Sequence, residues 1–342
     1  MIDVTIQGAG IFGLAIAFAC ARRGAKVRVI DPGGPGAGSS GGIVGALAPH
    51  VPENWNPKKA FQLESLLLSE GFWSDVSELG GIDPGYSRSG RLQPILDDKA
   101  LTLAHERSKN AKSLWKGRAD WTVEEASADW CPASPTGWVI RDTLSARIQP
   151  RQSCEALAAA LNAMGMEIVA DGSVEGLLVL ATGWRGLLNL SAEIGRPLGS
   201  GVKGQSALFA YDAADLPQIY AEALHIVPHS DGTVAIGSTS ERDFDSPVAT
   251  DDQCDTLIAH AREICPQLRE AKVIGRWAGV RPRAVSRAPI LGLHPLRQRT
   301  YIANGGFKIG FGMAPKIAEV MADLLLLGHD TIPAGFRVSD NM

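Results

Sequence analysis

Residues 2–13 read IDVTIQGAGIFG and residues 25–31 read AKVRVID, and the reading of these two runs decides the fold. Ile2 to Ile6 is a β-branched strand, and Ile11 to Arg23 has the apolar content of a buried helix, stopped by Gly24 in the C′ position. Ala25 to Ile30 is a second strand that ends at Asp31. Between the first strand and the helix lies Gly8-Ala9-Gly10-Ile11-Phe12-Gly13, and Asp31 follows 18 residues after its last glycine. A bare G-x-G-x-x-G carries little weight. Strand, glycine turn, helix, strand and acid within about 30 residues form a dinucleotide-binding unit. Gly8 permits the tight turn, Gly10 lets the backbone approach a pyrophosphate, and Gly13 brings the helix close to the sheet. The helix N-terminus offers unpaired N–H groups to phosphates, and Asp31 accepts from a ribose hydroxyl. The alternative, a tight β–α turn in an unrelated α/β protein, does not call for all these parts together.

The bulk numbers bound what surrounds this unit. A chain of 342 residues is expected to hold about two domains. With 45% hydrophobic and 20% charged residues it has enough apolar mass for a core, which excludes wholesale disorder. Glycine is in surplus at 38 residues, 11 of them in the first 45 positions, and there is no Gly-X-Y period. The net charge of −4 and the absence of long like-charge runs argue against a nucleic-acid partner or a polybasic membrane patch. Five widely spaced cysteines with no Cys-x-x-Cys pair read as free thiols of a reducing cytoplasm, with no metal site. Ile11 to Ala21 has the length of a signal-peptide core, but no Lys or Arg precedes it and glycines interrupt it. Leu324 to Leu327 falls far short of the ~20 apolar residues of a membrane span. A cytoplasmic protein without membrane insertion is therefore expected.

Beyond Asp31 the chain enters a Gly/Ser loop, Pro32 to Gly45, and then a helix from Pro57 to Leu79. Residues 81–149 read as irregular and Trp-rich. Arg151 to Met164 is helical, and Leu177 to Leu180 is a short buried strand ending in Ala181-Thr182-Gly183. Sheet alternation follows at Gln205 to Tyr211, Ala223 to Val227 and Thr233 to Gly237. Asp251 to Ile264 is helical, Val273 to Val280 extended, Arg299 to Ala303 a strand, and Met313 to Leu327 the last helix. A nicotinamide domain would supply its next strand soon after Asp31. Here it comes some 145 residues later, at an A-T-G turn. That interruption looks like an FAD-binding arrangement. The expected fold class is α/β with α+β: a Rossmann-like FAD-binding domain (1–80, 150–200 and 276–342) interleaved with a smaller substrate domain (81–149 and 201–275) on an antiparallel or mixed sheet.

Several further stretches carry a family resemblance over nearly the whole chain. Gly38-Ser-Ser-Gly-Gly-Ile-Val-Gly-Ala-Leu-Ala-Pro49, Val202-Lys-Gly-Gln-Ser206, Ile226-Val-Pro-His229, Arg276-Trp-Ala-Gly-Val-Arg-Pro282 and Asn304-Gly-Gly-Phe-Lys-Ile-Gly310 recur in similar order in one group of flavoproteins. With the N-terminal unit they make the chain resemble the D-amino-acid oxidase superfamily, and within it the glycine oxidase and sarcosine oxidase-like branch. The resemblance implies oxidation of an amine next to a carboxylate. Hydride leaves the α-carbon for flavin N5, and the resulting imine hydrolyses to an oxo acid. Oxygen or another acceptor then takes the electrons, and the cofactor carries the chemistry. FAD would be non-covalent, because no cysteine follows Cys265. The family's β-meander is reduced here to Asp171-Gly-Ser-Val-Glu-Gly176, which implies a less covered adenine side.

The same resemblance nominates residues. Cofactor contacts are expected from Gly8, Gly10, Ile11, Phe12, Gly13, Asp31, Ser39, Ser40, Gly42, Val169, Thr182, Gly183, Trp184, Gly306, Phe307, Lys308, Gly310 and Phe311. Arg281 matches the family's carboxylate-binding arginine, whose planar fork suits a carboxylate. The plain alternative for it is an interdomain ion pair, with Arg276, Arg283 and Arg287 as rivals. Lys308 falls where a second such arginine often stands, supplying charge without the fork; the alternative is a solvated lysine. His225 lies near a substrate-facing position, against the alternative of an ordinary core histidine. Gly306 and Ile309 replace a histidine and a polar residue, implying a roomier and more apolar pocket wall. The final helix would point its N-terminus at the flavin pyrimidine and stabilise negative charge there. Two other readings stay open: a catalytically altered flavin-binding or partner-binding module, and an oxidase acting on a larger carrier such as modified tRNA.

Overall fold

The computed structural model describes residues 1–126 and 129–342. In chain order the strands are β1 (Val4–Gln7), β2 (Val27–Ile30), β3 (Ala46–Leu47), β4 (Arg91–Pro94), β5 (Trp121–Glu125), β6 (Trp138–Asp142), β7 (Ala146–Arg147), β8 (Glu167–Val169), β9 (Leu177–Leu180), β10 (Gly199–Ala210), β11 (Gln218–Ala221), β12 (Leu224–Pro228), β13 (Thr233–Gly237), β14 (Lys272–Ala284), β15 (Ile290–Leu293) and β16 (Thr300–Asn304). The helices are α1 (Ile11–Arg22), α2 (Pro57–Gly80), α3 (Asp98–Leu114), α4 (Pro150–Ala163), α5 (Gly183–Ile194), α6 (Asp252–Ile264) and α7 (Gly310–Leu327).

Two sheets organise the molecule. The first has the order β15-β16-β9-β1-β2-β8 and is parallel except for its β15 edge. Its strands are short and apolar because helices cover it. α1 is buried around nearly its whole circumference, from Ile11 through Phe18 to Ala21, against α7 and α4. A helix apolar on all sides can lie only in a core of this kind. The second sheet has the order β14-β10-β13-β12-β11-β4-β6-β5 and is antiparallel apart from the β11–β4 pair. Its own core joins Phe209, Ile219, Ile226 and Ile236 to the buried face of α6. Among the described residues no helix is long and apolar enough to cross a membrane.

The structure corrects several sequence expectations. The stretch 81–149 is not irregular: it holds four strands and α3. α3 escaped notice because only Ala104 and Ala111 are buried along its 17 residues, so there is no apolar stripe to read. Its start is set instead by Asp97, whose carboxylate accepts from the Ala100 N–H at 2.7 Å. The last helix begins at Gly310 rather than Met313. The domain limits at 200/201 and 276 fall inside β10 and β14. Those strands pair from Gly199↔Ala284 to Ala210↔Lys272, so the hydrogen-bonded ladder keeps both wholly in the second sheet.

Candidate cofactor and substrate cleft

The chain leaves β1 toward β2 on one side, and β9 joins β1 on the other. Ligands in open α/β sheets bind at such a switch point, beyond the carboxyl ends of the strands. A cleft of about 670 Å³ opens there, roofed by the second sheet. Its floor requires close backbone approach. Gly8 has φ +108°, and a Cβ on it would stand 2.2 Å from the Ala181 carbonyl oxygen, so the two turns fit together only with glycine at that position.

The helix ends reveal what the cleft is built to hold. α2, α3 and α6 are capped by the side chains of Asn56, Asp97 and Asp251. α1, α4, α5 and α7 have no side-chain cap, and all four start on the cleft wall, at Gly10–Ile11, Pro150, Gly183 and Gly310. Orphan N–H groups at a helix start need an acceptor, and a ligand can supply it. Of these, Pro150 has no N–H to offer, and among the described residues only the Ile11 N–H is met locally, by Ser40 Oγ at 3.0 Å. Uncapped helix starts converging on one long cleft fit a dinucleotide with anionic groups along its length.

Of the residues nominated for a cofactor, Gly8, Gly10, Ile11, Phe12, Asp31, Ser39, Ser40, Gly42, Thr182, Gly183, Gly306, Phe307, Lys308, Gly310 and Phe311 all line the cleft. The Asp31 carboxylate accepts from the Ala9 N–H at 2.8 Å and the Gly33 N–H at 2.9 Å. A carboxylate has about four acceptor sites, so both oxygens keep capacity for a ribose. Gly42 lies against Trp277, where a Cβ would sit 3.4 Å from the ring.

Three nominees lie elsewhere. Gly13 does not line the wall; a Cβ there would meet the Gly8 carbonyl oxygen at 1.9 Å, so its task is to seat α1 on the turn. Val169 spends its carbonyl on the Asp31 N–H at 3.0 Å, and the wall at that end is made by Ala170 and Asp171 instead. Trp184 packs edge-on to Phe244, away from the opening. The pocket wall at residue 306 is also not roomier: a Cβ on Gly306 would strike the Phe12 ring at 2.7 Å. Ile309 packs into the main core rather than the cleft. Sequence reasoning missed Tyr220, Ser238 and Trp277, which line the cleft from separate strands or loops of the second sheet.

Arg281 and His225 meet at the far end of this cleft with Lys308. The Arg281 side chain crosses β10, where Gly204 leaves it room. Its Nη2 donates to the carbonyls of Lys203 at 3.1 Å and Thr239 at 2.7 Å, and Nη1 donates to Ser238 Oγ at 2.5 Å. The buried Nε–H has no partner. Burial lowers the guanidinium to about 10, opposed by the more distant Glu241. Burial also brings the Lys308 ammonium down to about 8, and the Arg281 charge adds to this. His225 is lowered to about 3, first by burial and then by Arg91 and Lys308, so it is neutral at physiological pH. Its Nδ1 is buried without a partner, and its ring lies 4.6 Å from that of Tyr220. Two cations and a neutral imidazole therefore line this part of the cleft, an arrangement that receives an anion.

Such a cleft, set on this pair of sheets, defines a dinucleotide-dependent enzyme of the flavoprotein type. Residues 3–324 match the family model described as FAD dependent oxidoreductase, so the chain belongs to the DAO family and is an FAD-dependent oxidoreductase. Over 358 aligned residues it is 27% identical to a glycine oxidase of Pseudomonas putida, covering 94% of each chain. It superposes on the crystal structure of glycine oxidase from Geobacillus kaustophilus with a TM-score of 0.85 at 22% identity, covering 99% of both chains. The iminodiacetate oxidase of Chelativorans sp. shares the fold with a TM-score of 0.82 at 22% identity, over 98% of both chains.

Proposed function

We propose that the protein oxidises a small amino acid or N-alkyl amino acid, held by its carboxylate at Arg281 and Lys308. Bound FAD supplies the acceptor for the hydride that leaves the α-carbon. Loss of that hydride and of an amine proton leaves an imine, which water hydrolyses to an oxo acid and ammonia or an amine. Oxygen or another acceptor takes the electrons afterward. The chain's own work is positional. Gly8, Gly10 and Ser40 admit the pyrophosphate at the start of α1, Asp31 takes the ribose, and the uncapped start of α7 faces the flavin. Among the described residues no cysteine lines the cleft, which favours non-covalent attachment. His225 offers a neutral imidazole to the substrate's polar side.

The observation that carries this reading is that two cations, Arg281 and Lys308, line the same cleft as the uncapped helix starts with no carboxylate within 4.0 Å of either among the described residues. An anionic ligand would neutralise this excess of positive charge. An arginine held in place by the Lys203 and Thr239 carbonyls and by Ser238 fixes where a carboxylate is attracted, and so which C–H bond is presented. The test is an anaerobic screen of the yellow protein with glycine, sarcosine, proline and D-amino acids. At least one should bleach the flavin band. No bleaching by any amine, in protein that has taken up FAD, would overturn the reading.

A further inference from the structure

Three cations surround one aromatic ring at the end of the cleft. Arg281 Cζ stands 5.4 Å from the centroid of Phe307, Arg283 Cζ 5.8 Å and Lys308 Nζ 6.0 Å. Among the described residues none of the three has a carboxylate within 4.0 Å, whereas Arg91 and Lys203, buried cations of the same sheet, keep Asp142 at 3.0 Å and Glu241 at 3.2 Å. Glu241, the acid nearest Arg281 in effect, is already held by Lys203 and by Gln205 Nε2 at 3.1 Å. An excess of three positive charges thus collects at one place in a chain whose net charge is −4.

The arrangement is fixed by the backbone. Arg281 and Arg283 lie on the same face of β14, where side chains two residues apart stand roughly 7 Å from one another. Arg283 bridges to Gly306, and the Phe307 N–H donates to the Pro282 carbonyl at 3.0 Å. Phe307 is held in the left-handed region at φ +44°, a conformation unfavourable for a bulky residue. Main-chain contacts therefore place the ring beside both arginines. Arg283 does not itself line the cleft but adjoins its wall residues Pro282 and Phe307, half-buried and, among the described residues, with no hydrogen bond of its own side chain.

One substrate carboxylate at Arg281 and Lys308 neutralises a single charge and leaves Arg283 free. We propose that the substrate carries two carboxylates, one beside the reacting amine and a second held by Arg283 at the rim: an aminodicarboxylate or an N-carboxyalkyl amino acid. This inference rests on the amino-acid reading of the cleft. A single-carboxylate substrate would leave the Arg283 charge beside Phe307 without a counter-charge.

The test compares matched pairs that differ by one carboxylate, iminodiacetate with sarcosine and D-aspartate with D-alanine. It reads anaerobic flavin reduction and, for compounds that bind without reducing, perturbation of the flavin absorbance. The FAD-loaded protein should bind the dicarboxylate of at least one pair ten or more times tighter. R283Q, checked for unchanged FAD content and melting temperature, should weaken that dicarboxylate at least ten times more than its monocarboxylate partner, with R283K in between. If monocarboxylates reduce the flavin and their dicarboxylate partners bind no tighter, or if R283Q weakens both alike, the second site is wrong while amino-acid oxidation stands. If no compound reduces the flavin, the underlying reading falls and this proposal falls with it.

Discussion

The guanidinium of Arg281 lies against the backbone of Gly204: a Cβ there would stand 2.4 Å from Nη2 and 2.5 Å from Cζ. Gly204 is paired with Gly279 two residues before Arg281 on β14, and both belong to the long β10–β14 ladder. Neither strand can yield without breaking that ladder, so the arginine must move instead. Gly204→Ala is expected to push the guanidinium off the Lys203 and Thr239 carbonyls and misplace the carboxylate site. Hydrogen bonds to charged groups are worth about 1.5–3 kcal/mol, so kcat/KM should fall by roughly 10- to 150-fold. FAD content should stay as in the parent protein, since Gly204 does not line the cleft. Steady-state kinetics with a flavin absorbance check settles the matter; lost FAD with intact kinetics per flavin would show that Gly204 acts elsewhere.

Phe12 and Gly306 are coupled in the same steric way. The Phe12 ring fills the space a side chain at 306 would take, and Gly310 Cα limits the other side at 3.1 Å. Gly306→Ala should overpack this contact and cost about 1–3 kcal/mol. Adding Phe12→Leu should recover part of that loss, a non-additivity expected of residues in contact. Thermal melts of the two single variants and the double variant test this. Additive losses would show that the ring and the glycine do not share the space.

How much of this was legible in the sequence differs sharply along the chain. The floor of the cleft was, because its requirements are local: Gly8, Gly10 and Asp31 lie within one β–α–β run and declare themselves by spacing. Arg281, Lys308 and His225 were nominated by motif and do meet at one end. The roof was not legible. Ser238 and Trp277 come together only through antiparallel pairing, in register Ser206↔Gly237 and Ser206↔Trp277 on either side of β10, and no short stretch encodes that register. Trp184 was misjudged because proximity in sequence to a glycine turn does not fix direction: α5 begins at Gly183, and the indole turns onto Phe244. At Gly306 the residue type was read as added space. The structure shows that Phe12, from the other end of the chain, had already filled it.

Asp31 ties the turn to the cofactor. Its carboxylate holds the Ala9 and Gly33 N–H groups, and it lines the end of the cleft near the exposed Ala170 and Asp171. Asp31→Ala should lose both turn contacts and the ribose acceptor together, raising the FAD dissociation constant roughly 5- to 150-fold on a loss of about 1–3 kcal/mol. Asp31→Asn keeps one acceptor oxygen and should fall between. Titration of apoprotein with FAD, followed by fluorescence quenching, measures both. An unchanged constant for Asp31→Ala would remove Asp31 from the cofactor site.

Lys308 gives the site a pH dependence whose sign can be worked out. Its ammonium titrates at about 8, below the usual lysine value, because burial disfavours the charged form and Arg281 adds repulsion. Below that pH it is charged and attracts a carboxylate; above it the charge is lost. A bound anion favours the charged form, so affinity should be greatest below pH 8 and fall as pH rises through it. Glycolate suits the measurement, because it has a carboxylate and no amine to titrate. Its dissociation constant should rise toward tenfold per pH unit above 8, then level off as Lys308 ceases to contribute, with Arg281 still charged until about 10. His225, held near 3, should add no inflection between pH 5 and 8. Lys308→Arg should abolish the inflection near 8 while retaining affinity, and Lys308→Met should abolish it with weak binding throughout. An inflection near 8 that survives in Lys308→Met would assign the titration to another group.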